Sequence, residues 1–494
     1  MKKILFAVIF LLAANFCAGA SVLTNVRYAS YPQKVRIVFD LDGQAYYGIV
    51  TSEGSLTLAL MSCEAAPSIK DKLDINDWAI GDISFNRSGE NIIVNIPMQY
   101  PVTSDIFPLG GPSRLVVDFG RVFTRTEKGG NITDAIEYTR VVKGGESGYI
   151  SAQVLRVDPK KTDIFPVLAE PKSSFIGSVV DFLTPWVKKI KKHFYRETVS
   201  SMAARSGAAA AVNGTFFSES RRPLGVLMIN GDAISYPISD RTALIITEDR
   251  DCYIDSVIMN STFEHNGSKY ELTGINEPRD SSKDIILYTK HYGNLTETNK
   301  YGFEITVVDG KVTTTRVGNS WIPEDGYVLS VGALYAEVLS TQVKIGDEIK
   351  TVINLIPYSN SIKGKVVQLV GGGPRLLKGG MVYISKYEEK FRPDVARGRA
   401  ARTAVGVTAD GKLLVVTVDG RPRRKIKKGE GYSNGMSLTE LAYFMQSLGA
   451  TDALNFDGGG STTMVINGSI INRPANGYEQ SVSNAIVIKP RSTF

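Results

Sequence analysis

The stretch SLTELAYFMQSLGATDALNFDGGGSTTMV (437–465) decides how this chain reads. Ser437 and Glu440 stand at capping-box spacing, where hydroxyl and carboxylate satisfy each other's free backbone amides. Leu438, Leu441, Ala442, Met445 and Leu448 then recur on one helical face. Gly449 supplies the left-handed residue that ends such a helix. Ala453 and Leu454 follow as a short buried strand, so Asn455 and Asp457 emerge where a strand ends, a usual place for ligands. Gly458, Gly459 and Gly460 bare the next turn, letting backbone amides approach an oxyanion. Ser461, Thr462 and Thr463 add hydroxyls, and Asp457 is the local acid, base or nucleophile. The frame is not a P-loop, because no Lys-Ser/Thr follows. It is not a serine elbow either.

Working outward, GAAAAVN (207–213) matches GATDALN (449–455), and SDRTALIITED (239–249) matches AARTAVGVTAD (400–410). These pairs predict an α+β, mixed-sheet domain over 148–490 with pseudo-duplicated helix–strand units around one sheet system. Upstream, KVRIVFDL (34–41), GSLTLALM (54–61), ENIIVNIPM (90–98) and SRLVVDF (113–119) are strand-like runs separated by turn residues. They predict a small all-β sandwich over 21–122. Residues 123–147, with Gly129-Gly130 and Gly144-Gly145, read as a linker. Residues 1–20, basic, then apolar, then Ala18-Gly19-Ala20, read as a secretory signal peptide. The segment 175–194, apolar first and lysine-rich later, is no membrane span. It reads as an inserted amphipathic segment, with peripheral membrane contact as its alternative use.

At 494 residues, 43% hydrophobic and 22% charged, the chain is long enough for two or three domains. The formal net charge of +7 falls by two when Lys2 and Lys3 leave with the signal, a mild bias towards anionic partners. Phosphate-bearing or acidic cell-envelope polymers fit that bias; nucleic acid does not fit an exported chain without a binding module. Only Cys63 and Cys252 remain after signal removal, too few for a disulfide scaffold. No Cys/His cluster exists, so no metal and no cofactor is expected. The three histidines, His193, His265 and His291, lie outside every motif, which leaves Ser-His catalysis without a base.

Three further places carry candidate chemistry. VGGGPRLL (370–377) sets Gly372, Gly373 and Arg375 after a strand, and AVNGTFF sets Asn213 and Thr215 at the end of another. Arg402 opens a strongly β segment that closes on Asp419, Gly420 and Arg421. A guanidinium at each end could hold a phosphodiester through bidentate hydrogen bonds.

Taken in order, VNGTFF, RTAVGV, VDGR, the SLTELA helix and LNFDGGGST closely resemble the phosphodiester glycosidase family, over roughly 135–490. NGTFF replaces a more glycine-rich form. The opening VRIVFDL and closing GPSRLVVDFG of the first region resemble the AMIN domain, which docks cell-wall enzymes onto the envelope. The resemblance implies hydrolysis of an N-acetylglucosamine-type sugar-1-phosphodiester, freeing the sugar and leaving a phosphomonoester, in a periplasmic or secreted, envelope-associated protein. A phosphate leaves with little acid assistance, so one carboxylate can suffice where ordinary glycosidases use two. Asp457 is then the base or nucleophile, with Asp419 as runner-up. Arg402 and the turn Gly458, Gly459, Gly460 and Ser461 would stabilise the departing phosphate, supported by Arg421, with Thr462, Gly372 and Gly373 among the substrate-binding residues. Asn213 and Asn455 would orient sugar hydroxyls or water. The competing expectation is a non-catalytic protein that binds envelope glycan. A metal-dependent phosphodiesterase is disfavoured for want of histidine ligands.

Overall fold

The computed structural model describes residues 20–52, 54–100, 102–171, 194–359, 361–396, 398–423 and 432–491. The signal peptide expected over 1–20 and the segment 175–194 lie almost wholly outside the described residues. The chain divides into two compact units, one within Met1–Thr124 and Lys143–Tyr149, the other within Arg125–Val142, Ile150–Ile426 and Tyr432–Phe494. Each is mostly β-sheet; among the described residues the α-helices are few and short. No helix among them is long and apolar enough to cross a membrane.

In the first unit two five-stranded sheets enclose one apolar core. Strands Lys34–Leu41, Ser55–Met61, Asn91–Pro97 and Arg114–Gly120 fall where alternation placed them. Leu56, Leu58 and Leu60 point inwards at every second residue and are essentially buried, as a half-buried strand requires.

The linker reading of 123–147 is overturned. Strands Phe123–Thr133 and Ile136–Gly144 form one edge of an eight-stranded sheet. Two of its glycines are packing residues: a side chain at Gly129 would overlap the Tyr138 ring, and one at Gly144 the Phe123 ring. A glycine within a strand often marks such close approach.

The centre of that sheet carries the Arg402 strand (Arg402–Thr408), flanked by the hairpin partner Leu413–Val418 and by the Asn455 strand (Ala450–Asn455). Helix Leu438–Ser447 lies before the Asn455 strand with its capping box formed. It buries Leu438, Leu441, Ala442, Phe444 and Met445 in an apolar cluster with the sheet, each worth about 1–3 kcal/mol of burial. Gly449 adopts φ +91°, as its position at the helix end predicted.

The two matched helix–strand units lie in different sheets. The Asn213 strand (Ala210–Asn213), after helix Val199–Ser206, pairs with Met464–Ile466 and Asn484–Pro490. The two Arg-Thr-Ala strands have the closer parallel. Thr242–Thr247, like the Arg402 strand, has an antiparallel hairpin partner on one side. On the other side each has a strand running into a glycine triplet, Val366–Gly371 or Ala450–Asn455.

Candidate active site

The Arg402 strand gathers the site because its neighbours' ends converge beside Ala401. The residues after the Asn455 strand run past it, with the Phe456 amide donating to Thr403 O at 2.8 Å and Gly459 N to Ala401 O at 2.8 Å. On the other side Gly420 packs directly against Ala401, bringing Asp419 to the same end of the sheet. Two ladder spacings separate the flanking strands, about 10 Å.

Asp457 is half-buried. Its Oδ1 accepts the Gly458 amide at 2.9 Å. Burial pushes its carboxyl up to about 6, against the opposing pull of the Ser461 hydroxyl, the Gly458 amide and the Arg423 charge. Such a group titrates close to neutrality and can accept or return a proton under mild conditions. Asp419 is likewise pushed up to about 6 by burial, but its carboxylate is engaged by the Arg473 amide at 2.8 Å and by Ser151.

Asn213 is the knot of the site. It is fully buried; its Nδ2 donates to the Asp457 carbonyl at 2.7 Å. Its Oδ1 accepts from Thr403 Oγ1 at 2.7 Å and Thr463 N at 3.2 Å. Three chain segments are thereby tied together. The expected role of Asn213 in orienting sugar hydroxyls gives way to a positioning one, because its oxygen and one amide hydrogen are committed to protein.

Asn455 is also buried; its Nδ2 donates to Gly373 O at 3.1 Å and Phe456 O at 2.7 Å. Its Oδ1 has no hydrogen-bond partner, nor have Thr462 Oγ1 and Thr463 Oγ1. Buried polar atoms without protein partners mark places that water or a ligand group satisfies.

The glycine triplets differ from the expected anion nest. Among the amides of the Asp457 turn, Gly458 serves Asp457 itself, Gly459 serves Ala401, and Ser461 serves the Gly458 carbonyl at 3.2 Å. Gly460 is needed for space, since a side chain there would strike Gln480 and Asn476. Gly372 and Gly373 donate to Thr242 O at 2.8 Å and Asn455 O at 2.7 Å, so neither amide is free for substrate. A Cβ on Gly372 would hit Leu454, and one on Gly373 would hit Glu389 and Phe391. Gly372 thus lets two sheets touch, and Gly373 admits the turn that carries Glu389 and Phe391.

Arg402 departs furthest from its expected part. It is buried, and its guanidinium donates to the carbonyls of Met436, Val395 and Gly398 at 3.0, 3.0 and 3.1 Å. Burial alone lowers it to about 10. Holding three carbonyls, it braces the chain segments on either side of its own strand. Arg402→Ala is therefore expected to lose about 2–4 kcal/mol of stability, from three charge-assisted hydrogen bonds lost together. A thermal melt unchanged within a degree would refute that bracing role.

Arg421 is exposed and sits over the Tyr432 ring at 5.6 Å. The cation near Asp457 is Arg423, whose Nη2 lies 3.3 Å from a Cβ built on Gly459. The segment 472–480 lies against both Arg423 and the Asp457 turn. Ala475 O accepts from Arg423 N at 2.8 Å, and Asn476 and Gln480, joined at 2.8 Å, pack on Gly460. Sequence reading passed over Arg423, which borders a basic run, and over NRPANG (472–477), whose turn residues were its only signal.

The phosphodiester glycosidase family model matches residues 301–489, a shorter span than the resemblance noted above. Bovine (Bos taurus) N-acetylglucosamine-1-phosphodiester alpha-N-acetylglucosaminidase is 32% identical over 119 residues, 22% of this chain and 21% of that enzyme. The chain thus matches about a fifth of that curated relative's length. An uncharacterized Rickettsia conorii protein is 25% identical over 244 residues, 46% of this chain and 80% of the other. Among solved structures, a hypothetical protein from Synechocystis superposes with TM-score 0.61 at 20% identity, covering 96% of this chain and 81% of that one. That likeness is one of fold.

Proposed function

We propose that this chain is an exported phosphodiester glycosidase that hydrolyses an N-acetylglucosamine-type sugar-1-phosphodiester in a cell-envelope glycan or glycopolymer. The observation that carries the reading is the Asp457 carboxyl, held near pH 6 beside Ser461 and Arg423 within the family-matched residues. Ionised Asp457 takes a proton from water as the water oxygen bonds to the anomeric carbon. The C1–O bond breaks, and its electron pair leaves with the phosphate, which departs as a monoester. Arg423 faces the phosphate and spreads its charge; Asn455 Oδ1 and the Thr462 and Thr463 hydroxyls, shut off from solvent, hold enclosed water behind the Asp457 turn. Asn213 keeps the Asp457 backbone in place. The leader-like 1–20, the AMIN-like first unit and the amphipathic 175–194 support export, docking on the envelope and peripheral membrane contact.

A synthetic methyl ester of N-acetylglucosamine 1-phosphate tests the reaction. Free N-acetylglucosamine and methyl phosphate are expected. Release of N-acetylglucosamine 1-phosphate and methanol would mean cleavage on the other side of phosphorus, and no release would favour a binding protein.

Arg423→Ala is expected to raise KM about tenfold, the scale of one charge-assisted hydrogen bond. It should also move the acidic limb of the pH–rate profile upward, because the Arg423 charge lowers the Asp457 pKa. An unshifted limb and an unchanged KM together would remove Arg423 from the site.

A further inference from the structure

At the far end of the Asn455 strand lies a cleft of about 610 Å3, whose wall includes Tyr253, Asp255, Tyr358, Ser361, Arg375 and Asp452. Asp452 precedes Asp457 by five residues, so at 3.3 Å per strand residue the two stand about 16 Å apart. Arg375, 8% exposed, forms the floor. Its guanidinium bonds Asp452 Oδ1 at 2.6 Å and lies 3.5 Å from Asp255 Oδ1, and it donates to the Ile254 carbonyl at 3.0 Å. Both carboxylates are thus fixed in place, and Asp452, held through Oδ1, keeps its Oδ2 to offer. Asp255 Oδ2 also receives Ser359 N at 2.6 Å, anchoring the loop that carries Tyr358. The Tyr358 ring, 74% exposed, stands open to solvent at the cleft.

We infer that this cleft binds uncharged sugar residues, as a glycan-holding site separate from the Asp457 centre. A sugar presents an apolar C–H face and a fan of hydroxyl donors. The tyrosine ring suits the face, at low entropic cost because it has few rotatable bonds. The Asp452 carboxylate, already held by Arg375, accepts a hydroxyl without being ordered on binding. The cleft counts Asp251, Asp255 and Asp452 against Arg375 and Lys378, a balance that disfavours phosphate. The volume falls within the usual range for small-ligand sites.

The test is calorimetric titration of the full-length mature protein with tetra-N-acetylchitotetraose and with maltotetraose, neither of which contains a phosphodiester. Hydrolysis at Asp457 and binding here therefore succeed or fail separately. Saturable binding of at least one tetrasaccharide below about 10 mM is expected. Tyr358→Ala, a surface change, should weaken it by about tenfold or more, Tyr358→Phe should preserve it, and neither should alter turnover of the methyl phosphodiester. Absence of saturable binding by both sugars overturns the inference, and so does undiminished binding by Tyr358→Ala.

Discussion

Asp457→Asn is expected to abolish release of N-acetylglucosamine, with kcat falling by at least about 1,000-fold, the usual worth of a positioned general base. Folding should survive, because the amide is isosteric and its oxygen can still accept the Gly458 N–H. Stability should even rise at neutral pH. The wild-type carboxyl has a folded pKa raised from 3.8 to about 6, so the folded state holds its proton longer than the unfolded state does. The folding penalty of this group is absent below about pH 4, grows between pH 4 and 6, and is complete above 6. The full shift corresponds to about 3 kcal/mol, which partial exposure of Asp457 reduces to about 1–2. The variant should therefore melt higher than wild type at pH 7.5 and level with it at pH 4. Wild-type kcat/KM should climb with pH up to about 6 and then flatten. Undiminished turnover by the variant would exclude Asp457 from the chemistry. A melt lowered equally at both pH values would mean that the carboxylate serves folding instead.

Asn213→Ala should have the larger structural effect. It strips partners from the Asp457 carbonyl, the Thr403 hydroxyl and the Thr463 amide at once. Each buried group left unpaired costs about 1–3 kcal/mol; with relaxation, a total of about 3–5 kcal/mol and a melting point lower by on the order of 10 °C are expected. Well below that melting point the variant should still lose kcat, because the Asp457 turn has lost its tether. KM should change little, since Asn213 itself does not face substrate. Asn213→Asp keeps the accepting oxygen but not the donor, so it should rescue neither property. A variant that melts like wild type would show the knot to be dispensable. One that lost only substrate affinity would return Asn213 to the sugar-orienting role first expected of it.

Local chemistry carried much of the fold. The Ser437–Glu440 box, the helical face behind it and Gly449 are all decided within a few residues, so that helix formed as read. The same holds for the alternating strands of the first unit. It also holds for the emergence of Asn455 and Asp457 at a strand end. The misreadings came where glycine has two meanings. Gly129, Gly144, Gly372 and Gly373 read as slack or as free amides, yet each is small because another group lies against it. Nothing in a sequence window tells those cases apart.

By itself the sequence determined which residue types could do acid–base work, and it placed Asp457 in a turn at a strand end. Which polar atoms remained available was left to the tertiary structure. Asn213 meets Asp457 across 244 positions of chain, and Arg402 is consumed by carbonyls of three separate residues. Arg423, not Arg402 or Arg421, is the cation that lowers the Asp457 pKa. A helix cap chooses its partner from its neighbours, whereas a buried amide or guanidinium chooses from whatever the packed sheets bring within 3 Å. Hydrogen-bond satisfaction in a core is a property of the whole fold, and no short stretch contains it.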